Sequence, residues 1–341
     1  MKTHRNRRRF IVIAAGGILL AAACQLQAAS FDLTAAAFDK SIDGQLVRMW
    51  GFGLTGGPIS SPGPLLTVPP GDATLTITLT NALDVPVSLI IPGQTASFAP
   101  VYHAAGPYAG RVRSLTQEVA PGATGGYTWT GLQPGTYLYH SGTQMQVQVQ
   151  MGLYGAVKHD FAAQQAYSNS ASAYHSDVVL LYSEIDPLIH DAVKNGTYGP
   201  DGAITSTVSY WPTYFLINGE PYAAGQPPIP AGTVNQRLLI RFLNAGLQSH
   251  VPVLHNYYGQ LLAEDGNLLP FAREQYEVLL AAGKTCDVLV QPTAAGIVTI
   301  YDRTLDLTTG AQWPGGMLVN LSVSAAQQRM IGRQLQRLAG R

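Results

Sequence analysis

The chain has 341 residues, enough for two domains at roughly 100–200 residues each, with 20 basic and 20 acidic side chains. Only 12% of residues are charged, against about 25% in ordinary soluble domains, while 46% are hydrophobic, which excludes a disordered chain. No Lys/Arg patch stands out in the body of the chain, which excludes a nucleic-acid groove; 36 Gly, 22 Pro and 17 Tyr favour short strands joined by tight turns.

Residues 1–29 read as a signal peptide. Lys2, Arg5, Arg7, Arg8 and Arg9 precede the apolar run FIVIAAGGILLAAA, and Ala28 and Ala29 offer a cleavage point before Ser30. Residues 6–11, NRRRFI, carry the twin arginines of a folded-protein export signal. Leu20 sits one place too early for a lipobox at Cys24, which argues against a lipid anchor there. Removing residues 1–28 deletes five basic side chains and leaves a net charge of −5. The expectation is a periplasmic or secreted protein with no transmembrane helix after signal removal. Cys286 is then the sole remaining cysteine, so no intramolecular disulfide forms and stability rests on core packing.

Residues 30–158 read as one β-rich unit. Strands are expected at Leu66–Val68, Thr74–Thr80, Val85–Ile91, Gly126–Thr130, Thr136–His140 and Gln146–Met151, separated by Pro/Gly turns such as Pro69-Pro70-Gly71-Asp72. Residues 159–176 are small and polar, a linker by composition. A second unit, 177–323, opens with DVVLLYSEI and a helical stretch at Asp186–Lys194. Strands are expected there at Tyr214–Ile217, Gln236–Leu243, Val251–Leu254, Tyr276–Leu280, Cys286–Gln291 and Gly296–Tyr301. Pro64–Gly71 leads into one alternating strand and Pro228–Gly232 into another ending Asn244-Ala245, a shared rhythm that suggests a duplicated Greek-key sandwich. The tail, 324–341, places Met330, Ile331, Leu335 and Leu338 on roughly one helical face.

Five collinear phrases carry a family resemblance. SPGPLLTVPPGDATLTITLTNAL resembles the opening strand pair of multicopper oxidases, and GTYLYHSGTQMQVQVQMGLYGAV resembles their second motif. YFLINGEPY, LLIRFLNAGLQSH and YEVLLAAGKTCDVLVQP resemble strands of the family's second domain. The resemblance covers about residues 31–323. It implies an all-β chain of two tandem cupredoxin-like domains, matching the first two of the usual three.

The family's chemistry, as the resemblance implies it, needs His-x-His pairs. Residues i and i+2 of a strand share a face, so such a pair aims two imidazoles into one cleft. Four pairs hold a trinuclear copper cluster, and a His/Cys/Met set builds a blue copper site. This chain has no His-x-His. At the first pair's places stand Ile90 and Pro92, and at the second His140 survives while its partner is Gly142. Cys286 lacks flanking histidines. His140 is thus the one residual metal-ligand position, and its structural reading is a strand-end histidine bonded across the domain interface. His103 meets it only if the Tyr-His-Ala-Ala-Gly loop folds back, and His140 with Met145 makes at most a weak soft site. His250 and His255 are expected as structural histidines facing the domain interior. Glu184 and Asp186 flank a strand end with no partner base, and Cys286 is expected to be inert. No catalytic residue is assigned.

The resulting expectation is an exported multicopper-oxidase-like protein, a binding or scaffold module with no cofactor in the isolated chain. The alternative is a copper oxidoreductase, oxidising a metal or a phenol, completed by a second polypeptide that supplies the missing copper motifs. A copper-free relative, exported by twin arginines and active in bacterial cell division, illustrates the scaffold reading.

Overall fold

The computed structural model describes residues 28–326 apart from Pro200. The basic and apolar leader, Cys24 and the expected tail helix lie outside the described residues. Within them, two β-sandwiches follow one another, as the duplicated pattern predicts, and no helix is long and apolar enough to cross a membrane.

In the first sandwich, one sheet runs in the order Gln45–Leu54, Ala28–Ile42, Thr74–Asn81, Thr124–Thr130, and faces a second sheet of Leu66–Val68, Tyr154–His159 and Gly135–His140. Alternation decides what is buried. Leu75, Ile77 and Leu79 of TLTITLTN enter the core with Tyr127 and Trp129, while the intervening threonines face out. Thr76 and Thr80 meet Thr128 and Thr124 across the strands. The second sandwich repeats the plan. Ser176–Ile185 lies parallel to Leu238–Asn244, as Ala28–Ile42 does to Thr74–Asn81, and Thr285–Val290 pairs antiparallel beyond it. A four-stranded sheet built around Gly296–Asp302 and Leu318–Ser324 closes its core.

Several expected elements differ. Val85–Ile91 is no continuous strand: Val87 pairs with Val119 and Ile90 with His140 as isolated bridges, because Pro86 and Pro92 lack donors. Gln146–Met151 is a helical turn, Met145–Gln148, followed by further turns. Its alternating Gln/Val pattern also suits a helix, where Val147, Gln148 and Met151 fall on one buried side. Tyr276–Leu280 contributes only bridges from Glu277 and Leu280, while the neighbouring strand is Asn267–Gln275. The helix at Pro187–Lys194 forms as expected, with the Asp186 carboxylate accepting from Leu188 N at 3.0 Å.

The 159–176 stretch is ordered against the second sandwich. A short 3₁₀ turn at Ser170–Ser172 lets Tyr167 and Tyr174 bury against Leu239, Leu262 and Leu289. The two sandwiches meet along the Gly135–His140 strand. Thr136 donates to Asp287 at 2.7 Å and accepts from Arg241, and the Thr285 hydroxyl donates to Thr136 O. Arg241 has no exposed side-chain surface; it also bonds Asp160 at 2.7 Å and Asp177 at 2.9 Å. On another part of the interface, His190 reaches from its helix to Arg48 O at 2.7 Å, its ring kept neutral by burial.

Candidate functional site

The isolated bridge between Ile90 and His140 brings the two motif segments of the first sandwich side by side. Ile90 N donates to His140 O at 2.9 Å, and His140 N donates to Ile90 O at 3.0 Å. Directly opposed residues of an antiparallel pair point to one face, so these two motif positions converge. The two segments that the resemblance sets against histidine pairs are therefore adjacent, and the side chains at the opposed positions are an isoleucine and one histidine.

Gly142 shows why a second imidazole has no room. A Cβ there would lie 2.9 Å from Ile90 Cγ2 and 3.1 Å from Ser88 Oγ. Below it, Ser88, Ser114 and Thr143 exchange hydroxyl contacts of 3.0–3.1 Å in a closed polar knot. His140 itself has a local partner: Nδ1 donates to Ser141 O at 2.9 Å, not to the second sandwich as expected from its place at the strand end. The bond across the interface belongs to Thr136, on the same strand. Burial holds the His140 pKa below the ordinary value, leaving the ring neutral.

The 101–115 loop does fold back. Leu115 N donates to Gly142 O and Gln144 N to Arg113 O, both near 3 Å. His103 and Met145 then line one groove of about 470 Å³ with Arg111 and Tyr198, and His140 is not part of that lining. Met151 is buried in the core.

Cys286 is equally closed to copper. It lies opposite Phe242 with 1% exposure, burial pushes its thiol up to about 12, and no histidine flanks it in sequence. His250 is interior as expected, whereas His255 faces outward. Among the described residues, His250, Asp302 and Asp306 are the one gathering of three metal-ligating side chains. Both ring nitrogens of His250 are committed, Nδ1–H to Asp302 at 2.7 Å and Nε2–H to Glu184. Glu184, expected to have no basic partner, thus has one; Tyr210 and Leu247 N also donate to it. The carboxylates raise His250 to about 9 against the opposing effect of burial, so it is an imidazolium inside a fully buried ionic cluster. A ring that donates from both nitrogens cannot ligate a metal. The residues that the resemblance sets at copper positions, Ile90, Pro92, His140 and Gly142, offer one imidazole and do not fit a copper cluster.

A larger cavity, about 620 Å³, opens between the sandwiches and takes His159 and Asp72 into its lining. Nothing in the sequence pattern signals it, because its walls come from segments as far apart as Gly71 and Leu268.

Comparison with known proteins supports the superfamily resemblance. Residues 55–158 match the family described as multicopper oxidase. The crystal structure of a blue copper oxidase from Nitrosomonas europaea superposes with TM-score 0.69 at 21% identity, over 87% of this chain and 86% of that one. The multicopper oxidase mgLAC gives 0.68 at 20% identity, over 89% and 90%. A copper nitrite reductase from Nitrosomonas europaea gives 0.61 at 18% identity, over 87% and 94%. The two-sandwich frame thus matches nearly the full length of these solved chains, not only the first part of a three-domain one. No curated protein sequence matches the chain significantly.

Proposed function

We propose that this chain, a relative of the multicopper oxidases in sequence and fold, is an exported binding or scaffold module without oxidase activity of its own. One observation carries the reading. At the converging motif segments, Ile90 occupies the space that a side chain at 142 would need, while His140 is bonded to its own neighbour. A lone neutral imidazole binds copper no better than a surface histidine, since a tight site needs several convergent ligands and an ordered second shell. Cys286, buried and without flanking histidines, supports the same conclusion for a blue site.

Metal analysis of the purified protein, before and after copper loading, tests this. The expected result is copper well below one equivalent and no intense visible band. Copper should shift the melting temperature of wild type and His140→Ala equally and slightly. A thiolate-to-copper absorption, phenol oxidation by the loaded protein, or a large copper-dependent rise that vanishes in His140→Ala would overturn it. Activity appearing only with a second polypeptide would replace it with the split-enzyme reading.

Export rests on the basic residues 2–9 and the apolar run after them. A cut before Ser30, the point the sequence suggests, removes Ala28, which pairs with Thr74, and the buried Ala29 from the first strand, whereas a cut before Ala28 leaves that strand whole. Mass spectrometry of the secreted protein should give a mature N-terminus between Ala23 and Ser30. An intact Met1 in a cytoplasmic product would refute it.

A further inference from the structure

The groove beside the 101–115 loop carries positive charge that nothing in the fold uses. Its volume, about 470 Å³, lies within the range of small-molecule pockets. One side is the loop itself; the other is Tyr198 with Thr205 and Ser206, from the segment that follows the Pro187–Lys194 helix. The loop is tied down by its own backbone. His103 N donates to Arg111 O, Gly110 N to His103 O and Arg111 N to Tyr108 O, all at 2.9 Å. Gln144 N donates to Arg113 O at 2.9 Å, which fixes the returning arm beside Met145. This side of the groove is therefore in place before a ligand enters, which lowers the ordering cost of binding.

The bases on this lining have no acidic counterpart there. Arg111, Arg113 and His103 line the groove, and no Asp or Glu does among the described residues. Asp201, the one carboxylate between Tyr198 and Ser206, lies outside the lining. Arg113 is committed, since Glu118 accepts from both its Nε–H and an Nη2–H. Arg111 is different. It is exposed, and its guanidinium pairs with no carboxylate or carbonyl among the described residues. It rests near the Tyr108 ring, 5.5 Å from guanidinium carbon to ring centroid, and the His103 ring stands 5.8 Å from the same tyrosine. An aromatic neighbour steadies a guanidinium and leaves its paired N–H groups free, and that fork matches a carboxylate. Apolar surface lies alongside: Val112, Leu115 and Met145 are exposed on the same lining. A free fork next to uncovered apolar side chains suits a ligand that is anionic at one end and apolar at the other.

We propose that this groove binds a small organic anion, a carboxylate on an aromatic body. Arg111 is its counter-ion, His103 a neighbouring N–H donor, and Leu115, Met145 and Tyr198 the walls for its ring. A bare inorganic anion fits less well, because it leaves the exposed apolar lining uncovered.

Calorimetric titration with benzoate, and with benzyl alcohol as its neutral counterpart, tests the proposal in metal-free buffer at neutral pH and low salt. Saturable one-to-one binding of benzoate is expected, about tenfold tighter than that of the alcohol. Arg111→Gln, at an exposed side chain that holds no bond within the fold, should abolish that preference. Arg111→Lys should keep only part of it, because an ammonium offers a charge without the fork. Met145→Ala, at a residue 36% exposed, should weaken benzoate several-fold through the lost wall. Absence of saturable binding, equal affinity for the alcohol, or undiminished benzoate binding in Arg111→Gln or Met145→Ala would overturn the proposal. None of these outcomes depends on copper, so a failure here leaves the reading of the copper positions standing.

Discussion

Asn81 and Asn244 make the same three hydrogen bonds in the two sandwiches. Asn81 Nδ2 donates to Val85 O at 2.8 Å and Val119 O at 2.9 Å, and its Oδ1 accepts from Leu83 N at 2.9 Å. Asn244 Nδ2 donates to Gln248 O at 2.7 Å and Leu280 O at 2.9 Å, and its Oδ1 accepts from Gly246 N at 2.8 Å. Each ends a core strand and pins the irregular segment after it to an isolated bridge residue, Val119 or Leu280, a few positions before the next core strand. Both are fully buried, and an amide is the one small side chain that donates twice while accepting.

Replacing either residue by leucine should therefore strand one carbonyl and one N–H, Val85 O with Leu83 N or Gln248 O with Gly246 N, while Val119 O and Leu280 O each keep a backbone donor. At about 1–3 kcal/mol for each group left unsatisfied, a loss of several kcal/mol is expected, of similar size at both positions. Urea unfolding of Asn81→Leu and Asn244→Leu measures it. A loss under about 1 kcal/mol at either site would contradict the equivalence.

The His250 cluster predicts a pH dependence. Its pKa rises from the ordinary 6.5 to about 9 in the fold, faced by Glu184, Asp302 and Asp306. A raised folded pKa means the stabilisation is complete below 6.5 and is lost as pH climbs through about 9. Wild-type stability should fall by an amount on the order of 3 kcal/mol across that window. His250→Gln should be less stable at pH 6 and nearly flat from 6 to 10. A wild-type profile equally flat would show that the ring is neutral.

Gly142→His restores the family's pattern in sequence but not in space. Ile90 Cγ2 stands 2.9 Å from where the new Cβ would be, so overpacking of about 1–3 kcal/mol is expected. Ile90→Ala in the same chain should recover part of it. Thermal melts of both variants check this, and a Gly142→His protein as stable as wild type would disprove the packing argument.

Arg241 holds the interface by compensating Asp160, Asp177 and the fully buried Asp287. Arg241→Met should cost about 3–5 kcal/mol, because the remaining buried carboxylates lose their counter-charge. Adding Asp287→Asn should return part of that loss, since burial already raises the Asp287 pKa. If the double variant is no more stable than Arg241→Met, the penalty lies in packing and not in charge.

Alternation in TLTITLTN and the Asp186-Pro187 helix start are readable along the chain, whereas LLIRFLN, expected to alternate, is buried at every position because its strand is covered on both faces. The first two are a local period and a cap, which keep their meaning whatever the chain folds against. The losses at Ile90, Pro92 and Gly142 are equally readable, since a missing imidazole is a property of the residue alone. Two hairpins are also encoded locally, in Asp-Gly pairs. Asp43-Gly44 and Asp265-Gly266 both take left-handed φ, the two-residue turn chemistry that joins Ala28–Ile42 to Gln45–Leu54 and Gly259–Glu264 to Asn267–Gln275. The alanine-rich first strand, with weak β-propensity, hid the former.

Other features required the tertiary structure. That QVQVQM is a helical turn depends on Ser141 donating to Gln148 at 2.6 Å and Gln148 donating to Pro86 O, partners seven and 62 positions away. That 159–176 packs and does not tether depends on where the second sandwich offers Leu239, Leu262 and Leu289. The pairing of Glu184 with His250, and the meeting of Asp72 with His159 in one cleft, have no spacing to betray them. Sequence alone determined which chemical groups the chain owns and the periods of its strands, because both are local. Which charges meet, which groups are left without partners and where space remains were decided only when distant segments came together.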